Sequence, residues 1–583
     1  MEERTASFSG YGKCHEQEED PSIYWKPARR RLIIILISGV VLVLLVVGMT
    51  VGIVFSKEPG DGNQEPKTSH EAESVTAVCK VTRYPDSCIT SISRMSDSPG
   101  AASQDPSVEE IFVLSLQVAL TELRNLSVHI PRSFYDDESD SPLEQSSLMD
   151  CQVLIRDAID QVRECIACAP EGHEARSAII SNVSKIRTWL SAAITDQNTC
   201  LYGIKEAVTE SSAFLTNMSS TMKDSLEYTS NSLAIATNIF AVLNDLGVAN
   251  QKTRRLLDDS GKGSAIRKIP SNPKPDITVA KDGSGDFRTI AEAVMAVPST
   301  SENRTVIYIK KGVYVENVTI GCDCWNLMMY GDGMNKTIVS FAMNHVDGFT
   351  TYSTATFAVN GRGFVAKDMG FRNTAGPEKL QAVALRSSAD QSVFYRCFID
   401  GYQDTLYAHT GRQFYGGCLI TGTVDFIFGN AAVVFQNCSI RPRQPLTGQF
   451  NTVTAQGKSD PNQNTGIVIQ RSQVTPLGKV TADSYLGRPW QDFSTTVFVH
   501  SNMDRIVEPA GWARWDPRKD PPSTIFYAEH ENVGAGSETL HRVKWPGYKR
   551  NITEHQASRF GVDAFIQGSS WLSQANVQFD SSY

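Results

Sequence analysis

The chain has 583 residues, 41% hydrophobic and 20% charged, so we expect more than one ordinary core and no wholesale disorder. The net charge of −9 is uneven: residues 258–583 carry 32 Lys and Arg against 30 Asp and Glu, or +2, which leaves −11 for residues 1–257. No long Lys/Arg run of the kind that binds nucleic acid is present, and the near-neutral C-terminal part can approach an acidic polymer.

The first predicted element is a membrane-spanning segment at residues 32–55, which carries no charge over a length that crosses a bilayer of about 30 Å. Three arginines at residues 29–31 precede it, which predicts a cytosolic segment at residues 1–31 and export of the rest. A cleaved signal peptide is the alternative, but the long apolar stretch lacks a clear A-x-A site and favours a signal anchor. Residues 56–70 follow as a polar linker.

Two further features agree with the secretory pathway. Most of the 12 cysteines follow the apolar segment, in the part where disulfides form. Glycosylation sequons give weaker support and occur at Asn125, Asn182, Asn217, Asn303, Asn317, Asn335, Asn437 and Asn551.

Residues 71–250 repeat apolar residues at three- and four-residue steps, which predicts four helices in an antiparallel bundle. We expect a Cys79–Cys88 disulfide to clip an N-terminal hairpin and a Cys151–Cys200 disulfide to join two helices. A helical spacer without activity fits the periodicity equally well.

Residues 251–274 are polar and rich in Gly, Pro and Ser, which predicts an exposed linker. Arg254, Arg255, Leu256 and Leu257 open it, and a dibasic pair in an exposed linker is a candidate processing site. Any exposed Arg-Arg pair looks similar, so the local sequence leaves cleavage open.

Residues 275–583 are short strand-like segments separated by turns, with one short helical stretch near the start. The segments FYRCFI, FYGGCLI and FQNCSI share one plan and place Cys397, Cys418 and Cys438 at steps of 21 and 20 residues. Such a repeat predicts a solenoid, and a parallel β-helix fits better than a sandwich. Residues one period apart then lie about 4.8 Å apart on neighbouring coils, which predicts a Cys418–Cys438 disulfide.

Two carboxylates share this period. Asp404 in GYQDTLY and Asp425 in TVDFIFGN are 21 residues apart, so we expect them side by side on adjacent coils. Stacked carboxylates repel and raise one pKa, which suits a nucleophile or base paired with a proton donor. A solvated Asp ladder and a calcium site are the alternatives, although the apolar neighbours offer few further oxygen ligands.

Other side chains converge on the same face. Gln381 lies one coil before Gln403, so both amides are predicted to stabilise an oxyanion, and Arg488 in LGRPW is predicted to orient a carboxylate through a bidentate pair. Four aromatic residues are predicted to stack on sugar rings, although Phe428 also fits a core position: Tyr407, Phe428, Trp490 and Trp512. With no HxH, HExxH or G-x-S-x-G motif, neither a metal, another cofactor nor serine-hydrolase chemistry is expected.

Five blocks resemble the signature blocks of plant pectin methylesterases and occur in the family order: GVYVE, QAVAL, GYQDTLY, TVDFIFGN and LGRPW. The helical half, with its paired cysteines and the TDQNTC stretch, is similar to the pectin methylesterase inhibitor domain that precedes the enzyme in longer members. Cys165, Cys168, Cys322 and Cys324 are additional, and these four and Cys397 have no predicted partner.

The resemblance implies a right-handed parallel β-helix that hydrolyses galacturonate methyl esters of homogalacturonan to pectate and methanol. By the same resemblance Asp425 is the nucleophile, Asp404 the acid and base, and Arg488 the group that orients Asp425. Gln381 and Gln403 match oxyanion-stabilising glutamines, and Thr351, Gln381 and Trp490 match substrate contacts.

The resemblance also implies cleavage of the chain at residues 254–257 by a processing protease. The precursor then lies in membranes of the secretory pathway and the enzyme in the cell wall, where separate inhibitor proteins are possible partners. The N-terminal half is expected to inhibit the enzyme, with a role in folding or targeting as the alternative.

Two competing functions remain from the residues. A β-helix glycosidase or lyase also uses paired carboxylates, although an inverting glycosidase needs them about 6.5–9.5 Å apart. An inhibitor or carrier with a dormant β-helix is the second alternative, but a dormant relative would be expected to lose Asp404, Asp425 or Arg488.

Overall fold

The computed structural model describes residues 69–96, 106–136, 141–170, 172, 174–209, 212–244 and 273–583. The predicted anchor at residues 32–55 and the predicted processing site at residues 254–257 lie outside the described residues. The described residues form a helical domain and a β-helix domain, which pack against each other within one compact unit.

The helical domain contains the four predicted long helices and, before them, a short helical hairpin. Two disulfides join the end of α1 to α2 (Cys79–Cys88) and α4 to α5 (Cys151–Cys200), as predicted. A π-helical turn, Ala236–Ala241, follows the last helix. The helices are α1 (Ser69–Cys79), α2 (Pro85–Ser96), α3 (Val108–Asp136), α4 (Pro142–Ala167), α5 (Ala175–Ala207) and α6 (Ala213–Ile235).

Among the described residues, one helical segment, Val108–Ile130 of α3, is long and apolar enough to cross a membrane. Its side chains Phe112, Leu116 and Leu123 are fully buried in the core of the helical domain. Since a core helix of a globular domain satisfies the same criterion, we assign this segment to the bundle core.

The β-helix domain consists of three parallel sheets, and successive coils contribute strands to them in turn. The first sheet contains β1 (Ile277–Val279), β2 (Thr305–Ile309), β5 (Leu327–Gly331), β8 (Val365–Lys367), β11 (Ser392–Tyr395), β14 (Arg412–Gly416), β17 (Ala432–Gln436), β20 (Gly466–Gln470), β23 (Thr495–Val499), β25 (Phe526–His530) and β26 (Tyr548–Lys549). The second contains β3 (Gly312–Val315), β6 (Thr337–Phe341), β9 (Gly370–Asn373), β12 (Phe398–Asp400), β15 (Leu419–Gly422), β18 (Ser439–Pro442), β21 (Gln473–Val474) and β24 (Asn502–Met503). The third contains β4 (Val318–Ile320), β7 (Phe357–Val359), β10 (Leu385–Ser387), β13 (Leu406–Ala408), β16 (Ile427–Gly429), β19 (Asn451–Gln456) and β22 (Ser484–Gly487).

Short helices flank the coils. The predicted stretch near the start forms α7 (Ile290–Met295), which begins with a capping box between Thr289 and Glu292. Near the C-terminus lie α8 (Glu554–Ala557) and α9 (Val562–Ile566), which pack beside the first sheet.

The strand register confirms the coil period read from the sequence. Val393 pairs with Phe414, and Phe414 with Val434, which are steps of 21 and 20 residues. Inside the coil, Phe394, Tyr415 and Phe435 stack with ring centroids 4.8 and 4.6 Å apart. In these three coils, aromatic side chains one period apart therefore lie directly over one another.

The predicted Cys418–Cys438 disulfide is wrong, because both residues are free, buried thiols. Their Sγ atoms donate instead to backbone carbonyls, Cys418 to Phe394 (3.3 Å) and Cys438 to Tyr415 (3.4 Å). In-register parallel neighbours project their Cβ atoms side by side at about 4.8 Å. A disulfide needs Cβ atoms about 3.8 Å apart and pointing toward each other, so stacking alone does not create one.

Candidate active site

Asp404 and Asp425 occupy the same turn position in consecutive coils, each two residues before a strand of the third sheet. Both have left-handed backbone conformations, with φ of 60° and 51°. Asp adopts this region more readily than most residues, because its short polar side chain bonds locally. The Asp404 N–H donates to Val424 O (3.0 Å), so the neighbouring turns are held together, as the 21-residue spacing predicts.

Arg488 follows β22 and forms a bidentate pair with the Asp425 carboxylate, as predicted. Its Nη2 lies 2.5 Å from Oδ2, and its Nε lies 2.9 Å from Oδ1 and 3.1 Å from Oδ2. Thr452 of β19 also contacts this carboxylate, since its hydroxyl donates to Oδ1 (2.6 Å). Asp425 is therefore held as an oriented anion by a bidentate guanidinium and a hydroxyl.

Among the residues that the structure describes, no guanidinium or hydroxyl bonds to the Asp404 carboxyl in this way, and Asp404 is the group that keeps a proton. Burial raises the pKa of Asp404 well above its usual value, and the charges of Asp425 and Glu206 raise it further, while Arg488 opposes them. The pair therefore divides into one oriented carboxylate and one neutral carboxylic acid. Such a division is what a nucleophile and a proton donor require.

These groups line one cavity of about 230 Å³. The Gln381 amide oxygen is buried, and no hydrogen-bond partner for it lies among the described residues. The described part of the chain contains no group of three or more His, Cys, Asp or Glu residues placed to hold a metal ion. Nine of the predicted site residues line the cavity: Thr351, Gln381, Gln403, Asp404, Tyr407, Asp425, Phe428, Arg488 and Trp490.

Trp512, one of the aromatic residues predicted to stack on sugar rings, does not line the cavity. Trp512 is only 1% exposed, packs in the β-helix core and donates from Nε1 to Glu529 (3.3 Å), so it cannot stack on a ligand. Trp515, three residues later, lines the cavity instead, is 42% exposed and carries the Arg488 guanidinium 4.4 Å above its ring. Both residues lie beyond the coil repeats used for the prediction, so the sequence offered no register to tell them apart.

The cavity is closed on one side by helix α5 of the helical domain. Thr199, Tyr202, Gly203 and Glu206 line it, and none of them was predicted as a site residue. The Tyr202 ring lies on the Trp490 ring (centroids 5.0 Å apart), and Thr199 Oγ1 lies 2.8 Å from His409 Nε2. The three- to four-residue spacing of positions 199, 202, 203 and 206 on α5 was the available signal.

Two carboxylates of the helical domain bind the turn at residues 350–354. Asp150 accepts hydrogen bonds from the Ser353 hydroxyl (2.6 Å) and the Thr350 hydroxyl. Glu206 accepts from the Thr351 N–H (2.8 Å). Burial raises the pKa of Asp150 to about 6 and that of Glu206 to about 7. Docking of the helical domain therefore raises the proton affinity of both carboxylates, of which Glu206 lines the cavity.

Comparison with known families gives matches in both domains. The sequence pattern of the Pectinesterase family matches residues 276–569. That of the Plant invertase/pectin methylesterase inhibitor family matches residues 73–235.

Similar proteins are found over the full chain. "Pectinesterase 3" of Phaseolus vulgaris is 48% identical over 588 residues, covering 99% of this chain and 99% of its own. "Probable pectinesterase/pectinesterase inhibitor 46" of Arabidopsis thaliana is 42% identical over 593 residues, covering 99% and 100%. The solved "Pectin methylesterase from Carrot" is 48% identical with a TM-score of 0.52, covering 54% of this chain and 100% of its own. That whole chain matches a span the length of the β-helix domain, which indicates that this domain folds without the helical one.

Variants of Trp512 and Trp515 test which tryptophan belongs to the cavity wall, in a protein that consists of residues 275–583. We expect Trp512→Ala to lower the free energy of unfolding by about 3–5 kcal/mol, because it removes a fully buried ring. Trp515→Ala removes a half-exposed ring and should change the free energy of unfolding by less than about 1 kcal/mol. Urea unfolding followed by tryptophan fluorescence measures both, and equal losses from the two variants would contradict the assignment.

Proposed function

The chain belongs to the pectinesterase family, and on that premise we propose that its cavity hydrolyses galacturonate methyl esters with Asp425 as nucleophile and Asp404 as acid and base. The protein is an enzyme, a pectin methylesterase that converts pectin and water into pectate and methanol. The oriented Asp425–Arg488 pair beside a buried, protonated Asp404 is the observation that carries the roles.

In the first half-reaction the Asp425 carboxylate attacks the ester carbonyl carbon, and an electron pair moves to the carbonyl oxygen. The amides of Gln381 and Gln403 line the cavity and supply donors for this oxyanion. When the intermediate collapses, the bond to the methoxy oxygen breaks and Asp404 gives that oxygen its proton. Methanol leaves, and the acyl group remains on Asp425 as an anhydride.

In the second half-reaction the ionised Asp404 takes a proton from water as the water oxygen attacks the acyl carbon. The anhydride bond breaks, Asp425 returns to a carboxylate, and the galacturonic acid product loses its proton to solvent. Whenever Asp425 carries no acyl group, Arg488 pairs with its carboxylate, so the mobile proton belongs to Asp404.

The helical domain acts as an inhibitory region in the uncleaved chain, in keeping with its family. Tyr202 and Glu206 stand in the cavity where a substrate ring and its carboxylate would have to lie. The Tyr407 and Phe428 rings stack 4.1 Å apart in the cavity wall and are almost fully covered, so a sugar reaches them only after α5 leaves.

Removal of the helical domain is part of the proposal. A protease cuts within residues 254–257 in the secretory pathway, and the β-helix domain, whose coil is right-handed, then acts in the cell wall. The membrane anchor at residues 32–55 holds the precursor until that cut. Support comes from the polar linker sequence and from plant relatives that carry both domains.

The roles of the two carboxylates are tested in residues 275–583 acting on methylated pectin. Asp425→Asn should lower methanol release to below about a thousandth, because the amide is not a nucleophile. Asp404→Asn should lower it about 100- to 10,000-fold, because the leaving group loses its proton donor. Asp483→Asn, at an exposed position of the same domain, is the control and should remain active. New reducing ends, or full activity of Asp425→Asn, would contradict the proposal.

Docking of the helical domain is predicted to weaken as the pH rises. The pKa values of Asp150 (about 6) and Glu206 (about 7) are raised in the docked state, so that state binds protons more tightly than the separated one. The stabilisation is complete below about pH 4, near the ordinary carboxyl pKa, and is lost as the pH rises through 6 to 7. Arg386 faces Asp150, and His345 lies 3.8 Å from Glu206.

The measurement uses a chain carrying an engineered protease site in the linker, cut and then passed over a sizing column. We expect one complex at pH 5 and two separate domains at pH 8. The double variant Asp150→Asn/Glu206→Gln should lose a large part of the difference in docking affinity between the two pH values, and the buried groups Asp157, Asp196 and His409 account for the remainder. Equal affinity of the unmodified domains at pH 5 and pH 8 would rule the prediction out.

The processing site is tested by replacing both Arg254 and Arg255 with alanine in a full chain expressed in plant cells. The uncut chain should keep its inhibitory domain, so the wall fraction should release several-fold less methanol. A second dibasic pair in the same linker, Arg267 and Lys268, provides the matched double-alanine control, which should leave processing intact. Equal wall activity of both variants, with equal chain lengths on a gel, would remove residues 254–257 as the site.

A further inference from the structure

Thr452 touches the nucleophile from the next coil, and we propose that it is a positioning residue that fixes the orientation of the Asp425 carboxylate for attack. The inference rests on the proposed function and deepens it, since it concerns the same carboxylate. Thr452 lies in β19, 27 residues after Asp425, and it is fully buried. It cannot contact substrate, so any effect on the reaction passes through Asp425.

The Thr452 hydroxyl bonds twice to Asp425. It accepts a hydrogen bond from the Asp425 N–H (2.7 Å) and donates its own proton to Oδ1 (2.6 Å). A hydroxyl has a single proton to donate, so the bond to Oδ1 fixes the direction of its rotor. The backbone N–H and the carboxylate of Asp425 are thereby both hydrogen-bonded to one atom, Thr452 Oγ1.

The main chain of Thr452 is itself held in the coil ladder. Its N–H donates to Thr423 O (3.2 Å), and its carbonyl accepts from the Phe426 N–H (3.2 Å). These bonds flank Asp425 on both sides in the sequence. The left-handed turn at Asp425 is therefore hydrogen-bonded to β19, which fixes the position of the Thr452 hydroxyl beside the Asp425 carboxylate.

The donors around the carboxylate show what Thr452 adds. An ionised carboxylate presents about four in-plane acceptor sites, two on each oxygen. Arg488 contacts both oxygens, with Nη2 at Oδ2 and Nε at both Oδ1 and Oδ2, whereas the Thr452 hydroxyl bonds to Oδ1 alone. Thr452 therefore adds a hydrogen bond from a different strand than the guanidinium, and this bond restricts rotation of the carboxylate.

In the first step a carboxylate oxygen of Asp425 bonds to the carbonyl carbon, and an electron pair moves to the ester carbonyl oxygen. On collapse of that intermediate the bond to the methoxy oxygen breaks, and this oxygen departs with the Asp404 proton. Thr452 and Arg488 hold the carboxylate in the orientation that this step requires. Removing the hydroxyl frees the carboxylate to pivot on the guanidinium, which lowers the fraction of bound complexes aligned for attack.

The experiment compares threonine variants of residues 275–583 acting on methylated pectin. Thr452→Val keeps the shape and removes the hydroxyl, and we expect kcat to fall about 10- to 100-fold with KM changed less than about threefold. Thr452→Ser restores the hydroxyl and should regain most of kcat. Thr454→Val is the matched control on the same strand and face, because the Thr454 hydroxyl donates to Leu486 O (2.9 Å) and not to Asp425. Thr452→Ala is a second variant without the hydroxyl, for use if the valine chain does not fold.

Each outcome decides between the possibilities. Loss of kcat in Thr452→Val or Thr452→Ala, with rescue in Thr452→Ser and retention in Thr454→Val, supports the proposal. Unchanged kcat in the hydroxyl-free variants overturns it, and so does a serine variant as impaired as they are, since packing would then be the cause. An inactive unmodified domain would instead contradict the proposed function itself.

Discussion

In-register stacking of parallel coils is the constraint on which the rest of the structure depends. The ladder between β13 and β16 aligns Leu406 with Ile427, and this alignment places Asp404 and Asp425 at equivalent turns. The two carboxyl groups cannot move apart without breaking ladder bonds such as that from the Asp404 N–H to Val424 O. The electrostatic repulsion between them is reduced instead, because Arg488 pairs with the Asp425 carboxylate and a proton neutralises the Asp404 carboxylate.

The period made this pair predictable, and the limits of the period explain what was missed. Cys397, Cys418 and Cys438 report coils of 21 and 20 residues, and Asp404 and Asp425 lie inside that regular stretch. The next coil is longer, because a loop between β18 and β19 makes the step from Asp425 to Thr452 27 residues. The position of Thr452 relative to Asp425 therefore could not be read from the coil period, although its residue type and its place in a strand-like segment are evident in the sequence.

The wrong disulfide prediction and the missed contacts between the domains have other causes. The Cys418–Cys438 pairing was inferred from proximity, whereas a disulfide depends on the direction of the Cβ atoms, which stacking makes parallel. Contacts between the domains, such as that of Glu206 with Thr351, join residues 145 positions apart and follow from how two finished domains dock. Periodicity describes one element at a time, so it predicted α5 as a helix and gave no partner for its polar face.

Glu206 connects the helical domain to the cavity. Its carboxylate accepts a hydrogen bond from the Thr351 N–H and lines the cavity that contains Asp404. The charge of Glu206 adds to the burial and to the charge of Asp425 in raising the pKa of Asp404, so the helical domain favours the protonated form of Asp404 while it covers the cavity. Departure of α5 removes that contribution, but the charge of Asp425, held by Arg488 and Thr452 within the β-helix itself, stays. The pairing of the two carboxylates is thus a property of the coil stack, whereas the helical domain governs access to the cavity and contributes to the raised pKa of Asp404.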